Sequence, residues 1–268
     1  MEDNVKARYT RQARQRYKRR YNGYMNISDK LKGFAMKQVY AYLDKDPDTN
    51  IPKVLDYLQA HDKGGGISSQ VDSVRQAISD PNNNWARLVK SLWTDIDAAQ
   101  RKALVETAVV NGSMIGTPMS EKMQEKYQCN VPWAILMDPT SACNLHCTGC
   151  GAAEYGNKLT LSFDELDDII RQGKALGTYI YIYSGGEPLV RRDDLICLCE
   201  KHSDCAFLAF TNGTLIDDAF ADEMLRVHNF VPAISIEGFE AATDSRRGQG
   251  TYRKVSEAME RLKARKLL

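Results

Sequence analysis

Three cysteines with a short, regular spacing are the strongest chemical feature of this sequence. Cys143, Cys147 and Cys150 stand at positions i, i+4 and i+7. The same spacing would place three thiols on one face of a helix, so a buried helical stripe is one interpretation. Asn144 and Gly149, residue types that favour turns, indicate a loop instead. A loop that turns its thiolates inward can bind a soft metal centre.

Two metal chemistries fit such a loop. A structural zinc ion takes four protein ligands, and His146 would complete a Cys3His set. Three cysteines alone suit a 4Fe–4S cube in which each thiolate binds one iron and the fourth iron stays open. Clusters that only transfer electrons take four cysteines, whereas an open iron can bind a substrate or a cofactor.

A second motif follows an apolar, β-forming stretch about forty residues later. Gly185, Gly186, Glu187 and Pro188 come directly after the predicted strand 179–183. Two glycines let a backbone approach a ligand without hindrance from Cβ atoms. A plain β-turn accounts for the glycines and the proline but leaves the carboxylate of Glu187 unexplained.

The segments around both motifs alternate between strand and helix patterns. Four strands are predicted over residues 134–137, 179–183, 206–210 and 231–236, and four helices over 162–176, 193–202, 217–227 and 252–265. Ser162, followed by Glu165, is a capping pattern that marks the start of the first of these helices. Four strand–helix units in succession are typical of an α/β fold with a parallel sheet or barrel. Chemistry in such sheets gathers at the carboxyl ends of the strands, where both motifs fall.

The region before the first strand, residues 28–130, has helical periodicity throughout and no recognisable catalytic constellation. Pro52 occupies a position typical of a first helical turn, Asp97 can cap another helix, and Asn111-Gly112 predicts a helix end. We therefore predict an all-helical N-terminal domain that caps or docks on the rest of the chain.

Residues 1–27 form a predicted helical arm rich in arginine and tyrosine. The first twenty residues hold eight Lys and Arg against two Asp and Glu, although the whole chain has a net charge of only +1. This charge fits three interpretations. The arm is a solvated helix, or residues 1–24 contact an anionic membrane surface, or the arm contacts nucleic acid. Nothing in the sequence decides among them, and nucleic acid is not favoured as a partner.

The cysteine spacing CxxxCxxC after the first strand, joined to Gly-Gly-Glu-Pro after the second, resembles the radical S-adenosylmethionine (radical SAM) superfamily. The resemblance covers about residues 133–268. It implies a partial (β/α) barrel and a 4Fe–4S cluster bound by Cys143, Cys147 and Cys150. It further implies that the open iron is chelated by the amino and carboxylate groups of SAM, and that Gly185, Gly186, Glu187 and Pro188 recognise that amino group.

By the same resemblance, later strand ends contact SAM as well. Asn212 lies in a Thr-Asn-Gly-Thr segment after the third strand, where members of the superfamily often have a turn near SAM. Ser235 and Glu237, at the end of the fourth predicted strand, would share one face because side chains alternate along a strand. Arg247, next to Arg246, could pair with the carboxylate of SAM. The competing interpretations are an ordinary turn for Asn212 and solvated arginines.

The implied reaction begins when the reduced cluster passes one electron to the sulfonium of SAM. The C5′–S bond then breaks homolytically into methionine and a 5′-deoxyadenosyl radical, which abstracts hydrogen from a substrate or adds to it. The cofactors carry this anaerobic, oxidoreductase- or transferase-like chemistry, and we assign no side chain as a catalytic acid, base or nucleophile. A flavodoxin- or ferredoxin-type electron donor is the expected partner.

The sequence departs from the superfamily pattern in three ways. The residue before the last cysteine, often aromatic in the superfamily, is Gly149 here. Family barrels usually have six strand–helix units, whereas this chain has four. We therefore expect either that the sequence is a piece of a longer protein or that another chain supplies the remaining wall, and a C-terminal cysteine-rich extension is not seen.

The substrate is not identified by the sequence, although the motifs also resemble branches that modify lipids or ribosomal peptides. The alternative function is a non-enzymatic interaction module stabilised by zinc or an iron–sulfur cluster. Length and composition fit a folded protein of one or two domains, with 43% hydrophobic and 26% charged residues. Without an apolar membrane span or a secretory signal, we expect a cytoplasmic protein that is peripheral to the membrane if its arm binds lipid.

Overall fold

A computed structural model describes residues 27–61, 68–80, 82–152 and 156–268 of the chain. The predicted basic arm, including the proposed membrane contact of residues 1–24, lies outside these described residues apart from its last position. None of the described helices is both long enough and apolar enough to cross a bilayer.

The described part of the N-terminal half consists of helices joined by short turns. Its helices are α1 (Ile27–Lys45), α2 (Pro47–His61), α3 (Ser68–Ser79), α4 (Asn84–Thr94), α5 (Ala98–Leu104), a π-helix (Val105–Gly116) and α6 (Thr117–Tyr127). The cap predicted at Asp97 is confirmed, because its carboxylate accepts hydrogen bonds from the backbone N–H groups of Ala99 and Gln100.

Two of the helix boundaries predicted in this half are wrong. Helix α2 begins at Pro47, so Pro52 lies inside the helix rather than in its first turn. The pair Asn111-Gly112 does not end a helix, because the chain continues as the π-helix and then as α6. Gly112 serves close packing instead, since a Cβ atom there would lie 3.2 Å from Cδ1 of Ile180. Tertiary contact thus overrides the local preference of glycine for a helix end.

A four-stranded parallel sheet forms the centre of the C-terminal half. Its strands are β1 (Ala134–Met137), β2 (Ile180–Tyr183), β3 (Ala206–Thr211) and β4 (Phe230–Ile234). They lie in the order β1-β2-β3-β4, and every neighbouring pair is parallel. Parallel neighbours need crossover segments, which helices supply here. The prediction of an α/β fold with four strand–helix units is confirmed.

The helices of this half are α7 (Phe163–Leu176), α8 (Arg192–Lys201), α9 (Asp218–Val227), α10 (Glu240–Arg247) and α11 (Thr251–Ala264). The capping pattern predicted at the start of α7 is confirmed: the Ser162 hydroxyl accepts from the Glu165 N–H, and the Glu165 carboxylate accepts from the Ser162 N–H. Helix α10 was not predicted from the sequence.

One hydrophobic core lies between the sheet and these helices. The rings of Tyr181 and Tyr183 both stack on Phe207, with centroid distances of 5.7 Å. Fully buried side chains of α7, α8 and α9 cover this aromatic layer: Leu166, Ile170, Leu195, Leu198 and Met224. Burial of apolar surface on this scale is the main stabilising contribution to the sheet, and it fixes where the strand ends lie.

The helical half contacts the C-terminal half at the amino-terminal ends of the strands. The Asn111 side-chain amide donates to the carbonyl of Asp204, just before β3, at 2.8 Å. A Cβ atom on Gly116 would overlap the carbonyl oxygen of Gly177, just before β2. The opposite, carboxyl ends of the strands hold the cysteine loop. The domain boundary near residue 130 stays a prediction.

Candidate functional site: a three-cysteine loop at the carboxyl ends of the strands

The three cysteines lie in an irregular loop that follows β1. The segment from Cys143 to Cys150 contains turns and bends but no helix, so the loop interpretation is confirmed and the helical stripe is wrong. The Cys150 N–H donates to the Cys147 carbonyl at 3.2 Å, which closes a turn between the second and third cysteines. All three thiols are partly exposed and free of disulfides.

Cys143 is partly buried, and its surroundings shift the pKa of its thiol. Partial burial is the main cause that raises the pKa of its thiol, and the nearby Glu187 carboxylate and the other two cysteines raise it further. The Leu145 N–H, 3.4 Å from the sulfur, acts in the opposite direction. A thiol with a raised pKa is protonated at neutral pH, and binding to a metal cation reverses this preference.

The donor set of the loop fits an iron–sulfur cube. Among the residues that the structure describes, no three His, Cys, Asp or Glu side chains are grouped closely enough to hold one metal ion. Zinc needs each sulfur about 2.3 Å from a single centre. A 4Fe–4S cube binds each thiolate to a different iron and so accepts a wider spacing. Three soft thiolates are the ligand type that such clusters take.

Gly185 and Gly186 pack the end of β2 against the cysteine loop. The Gly186 N–H donates to the Thr140 carbonyl at 3.0 Å, and the Glu187 N–H donates to the Ala142 carbonyl at 2.8 Å. A Cβ atom on Gly185 would lie 2.6 Å from the Thr140 oxygen, and one on Gly186 would overlap the Ala142 oxygen. The sequence predicted that these glycines allow close approach of a ligand, and in the structure the loop backbone makes that approach.

Glu187 is buried, and its carboxylate is bonded to the protein. Its side chain accepts from the Leu189 N–H at 2.9 Å, the Thr211 hydroxyl at 2.6 Å and the Asn212 N–H at 2.7 Å. Burial raises the pKa of this carboxyl, while the three donors act to lower it. The carboxylate thereby joins the end of β2 to the end of β3. Pro188 follows as the first residue of a 3-10 turn (Pro188–Arg191), in which Pro188 and Leu189 are buried.

Asn212 lies beside the cysteine loop, in the turn after β3. Its side-chain amide donates to Oδ1 of Asn144 at 2.8 Å and stands 4.0 Å from the sulfur of Cys143. The Thr214 hydroxyl accepts from the Asn144 amide at 2.8 Å and donates to Oδ1 of Asn212 at 2.7 Å. The structure thus brings the turn after β3 into direct contact with the first cysteine.

Ser235 and Glu237 lie beyond the fourth strand rather than within it. Strand β4 ends at Ile234, so the strand alternation that predicted a shared face for these two residues does not apply to them. The Ser235 N–H still pairs with the Thr211 carbonyl at 2.9 Å. Ser235 therefore stays next to the turn that holds Asn212.

Glu237 forms ion pairs with the two arginines of α10. Arg247 donates to Oε1 of Glu237 through Nε at 3.0 Å and Nη2 at 2.6 Å, and Arg246 donates to the same oxygen at 2.7 Å. The hydrogen bonds from Arg247 and then Arg246 lower the pKa of the Glu237 carboxyl. The guanidinium predicted to face SAM is therefore bonded to a protein carboxylate.

Helix α10 also contacts the cysteine loop directly. The Thr148 N–H, between the second and third cysteines, donates to the Arg246 carbonyl at 2.8 Å. The loop is thus fixed on both sides: near Cys143 by the turn after β3, and near Cys147 by the end of α10. Asn144, Thr148 and Thr214 were not assigned roles from the sequence, because their partners are about 70 or more residues away along the chain.

The fold and site define a class: a parallel α/β protein that carries a three-cysteine loop at the carboxyl ends of its strands. Residues 137–267 match the family model described as the radical SAM superfamily. The C-terminal half of the chain belongs to this superfamily, as the resemblance implied. Members of the superfamily use a 4Fe–4S cluster and SAM.

Several curated proteins are similar to part of the chain. An Fe-coproporphyrin III synthase from Methanosarcina barkeri is 31% identical over 120 residues, or 42% of this chain and 29% of the relative. An AdoMet-dependent heme synthase from the same organism is 30% identical over 50% of this chain and 40% of its own length. A serine-type anaerobic sulfatase-maturating enzyme from Klebsiella aerogenes is 31% identical over 46% of this chain and 35% of its own length. The chain spans well under half of each relative.

Solved structures overlap to a similar extent. One is native anSMEcpe with bound AdoMet and Cp18Cys peptide, which is 26% identical to this chain. The match spans 50% of this chain and 40% of the anSMEcpe chain, with a TM-score of 0.44. The same protein with bound AdoMet alone gives 25% identity and the same TM-score.

Proposed function

We propose that the chain is part of a radical SAM enzyme whose cluster is bound by Cys143, Cys147 and Cys150. The observation that carries this proposal is the position of the cysteine loop. It lies at the carboxyl ends of adjacent parallel strands, packed on Gly185 and Gly186 and bonded to the turn after β3. Strand ends of this kind are where α/β proteins bind ligands, and thiolates are the ligands that iron–sulfur clusters require.

When bound, the cluster and SAM supply reductive cleavage of SAM to a 5′-deoxyadenosyl radical. The residues of this chain position the two groups. Gly185, Gly186, Glu187 and Pro188 support the loop from below, and Asn212 holds it at its start. We assign the glycine segment, residues 185–188, to the SAM site together with Ser235, Glu237 and Arg247, whereas Asn212 acts on the cysteine loop.

The side chains of Glu187 and Arg247 support the SAM site without contacting SAM, because both are bonded to protein groups. The carboxylate of Glu187 already accepts from three protein donors. The guanidinium of Arg247 is bonded to Glu237 through two nitrogens. Backbone groups of the glycine segment and the hydroxyl of Ser235 are therefore the contacts that we assign to SAM itself.

The substrate and the redox partner extend this proposal. The names of the relatives refer to haem, to sulfatase maturation and to GTP, so they do not select one substrate for this chain. We retain lipid or peptide modification as the substrate classes and a flavodoxin- or ferredoxin-type donor as the source of electrons. We further propose a cytoplasmic location, with residues 1–24 against an anionic membrane surface.

The first test replaces one cluster ligand. In Cys147→Ala the cube loses one of its three thiolates, so anaerobic reconstitution should leave a protein without the iron–sulfur absorption and without dithionite-dependent SAM cleavage. Cys197→Ala, which removes an exposed thiol on α8, is the matched control and should keep both. A Cys147→Ala protein that is fully coloured and active would overturn the proposal.

Metal analysis separates the enzyme from the zinc-stabilised interaction module. Anaerobically purified enzyme should contain about four irons and four labile sulfides per chain. One zinc ion without labile sulfide would support the module instead.

A further inference from the structure

We propose that Asn212, Asn144 and Thr214 form a hydrogen-bonded ring that positions Cys143 for the cluster. This inference rests on the proposed function, because it assigns roles to residues around the cluster ligand. It differs from the sequence-based prediction, which placed Asn212 in contact with SAM.

The hydrogen bonds between the three side chains close on themselves. The Asn212 amide donates to Oδ1 of Asn144 at 2.8 Å, and the Asn144 amide donates to the Thr214 hydroxyl at 2.8 Å. The Thr214 hydroxyl donates back to Oδ1 of Asn212 at 2.7 Å. Each side chain is both donor and acceptor, so only one orientation of each amide satisfies the ring. Such closed networks strengthen their members cooperatively.

The ring is anchored on one side and carries the cysteine loop on the other. Asn212 is only 6% exposed, and its backbone N–H is bonded to the buried carboxylate of Glu187 at 2.7 Å. The Thr214 N–H also donates to Oδ1 of Asn212 at 3.0 Å, which fixes the turn. Asn144 is exposed and adjacent to Cys143 in the chain. The buried turn is therefore the fixed partner, and the exposed loop is the part that it holds.

Asn212 also directs an N–H group toward the first cluster ligand. Its amide nitrogen is 4.0 Å from the sulfur of Cys143. Hydrogen bonds to the sulfurs are one of the factors that set the potential of an iron–sulfur cluster. A donor at this position stabilises negative charge on the thiolate and so favours the reduced cluster.

The same bonds leave little of Asn212 for SAM. Its oxygen accepts from the Thr214 N–H and hydroxyl, and its amide group serves Asn144 and faces Cys143. Asn212 is thus a positioning residue, which acts on the cluster through the loop.

The test breaks the ring at Thr214. Thr214→Val keeps the side-chain shape but removes the hydroxyl, whereas Thr214→Ser keeps the hydroxyl. Loss of an outer-shell partner typically weakens metal binding about 10- to 100-fold. In reconstituted full-length protein, we therefore expect Thr214→Val to release iron to a chelator at least about 10-fold faster, with a more negative cluster midpoint potential. Thr214→Ser should restore both values.

Asn144→Ala provides a second variant, and because Asn144 is exposed, we expect this variant to fold. It should match Thr214→Val, and the double variant should be no worse than either single one, because each breaks the same ring. Wild-type iron release and potential in both single variants would overturn the ring while leaving the proposed function standing. A wild-type protein that takes up no iron would overturn the proposed function and this inference together.

Discussion

At the residue scale, the buried carboxylate of Glu187 does more for the architecture of the site than its position in a ligand-binding motif suggests. It is 1% exposed and accepts three hydrogen bonds from two different segments. Charged groups are buried only where they are paired or fully hydrogen-bonded. The three donors offset the cost of burial, and they make the carboxylate the connection between the ends of β2 and β3.

Glu187→Gln tests this connection. The amide can replace only one carboxylate oxygen as an acceptor, and its NH2 group would face either an N–H or a hydroxyl donor. A buried donor left without an acceptor costs about 1–3 kcal/mol, so the free energy of unfolding in urea should fall by about that amount. Glu121→Gln, at an exposed position on α6, is the control and should be neutral. A stability equal to wild type would show that the carboxylate is not needed as an anchor.

At the element scale, a partly buried charge cluster joins α7 to the end of α8. The Asp167 carboxylate is bonded to Nε2 of His202 at 2.8 Å and lies 2.6 Å from the ammonium of Lys201. The ammonium of Lys174 lies 2.7 Å from the Asp204 carboxylate and 3.5 Å from Nδ1 of His202. Arg171 completes the charges around Asp167. A second proton on His202 would therefore face a cation.

Because of this arrangement, we expect stability to fall in acid in two stages. Burial is the main cause that lowers the pKa of His202 in the folded protein. The contribution of neutral His202 to the free energy of unfolding is therefore complete above the unfolded-state pKa of about 6.5 and declines below it. His202 and Lys201 hold the pKa of Asp167 at about 2 against the cost of burial. The contribution of Asp167 is complete above the unfolded value of about 4 and is lost toward pH 2.

Urea unfolding between pH 8 and pH 2 measures both stages. The Asp167 stage should amount to about 1–2 kcal/mol after allowance for solvent screening. His202→Gln should flatten the stage between pH 7 and pH 5, whereas His61→Gln, on an exposed turn of α2, should leave it unchanged. A profile that is flat over the whole range in wild-type protein would contradict the electrostatic account.

Elements with a strong periodic pattern could be predicted from the sequence, and others could not. The four strands and the capping box at Ser162 follow from local signals. Helix α10 was missed because Glu240–Arg247 has no apolar stripe: its buried residues are Thr243 and Asp244. The helix that continues through Gly112 was missed because packing on Ile180, not local preference, decides it.

The residues of the candidate site could be predicted from the sequence, but the hydrogen bonds and ion pairs between them could not. The cysteines and the Gly-Gly-Glu-Pro segment stand out because each is a short local pattern. The bond between Asn144 and Thr214 joins residues 70 positions apart, and the pairing of Arg247 with Glu237 competes with the predicted contact to SAM. Whether a polar side chain pairs with the protein or with a ligand depends on which groups lie near it in the folded chain, and local sequence patterns do not show this.

At the scale of the whole molecule, the helical half and the sheet are joined by very close backbone packing. Gly116, at the end of the π-helix, lies against Gly177, which follows α7 with a φ of +102°. A Cβ atom on Gly116 would overlap the Gly177 oxygen and would stand 2.9 Å from the Asn111 oxygen. Neither neighbour is a side chain that could rotate away.

Gly116→Ala should therefore destabilise the molecule at this junction. Overpacking of this kind costs about 1–3 kcal/mol, and tryptophan fluorescence of Trp93 and Trp133 during urea unfolding should report it. Gly151→Ala is the matched control, because a Cβ atom there would meet nothing within 4 Å. Unchanged midpoints for Gly116→Ala would mean that the two halves do not pack as described.

The two ends of the sheet have different roles. The cysteine loop lies at the carboxyl ends of the strands, and the helical half packs at their amino-terminal ends. Substitutions at one end can therefore be tested for their effect at the other, because the same four strands connect the two.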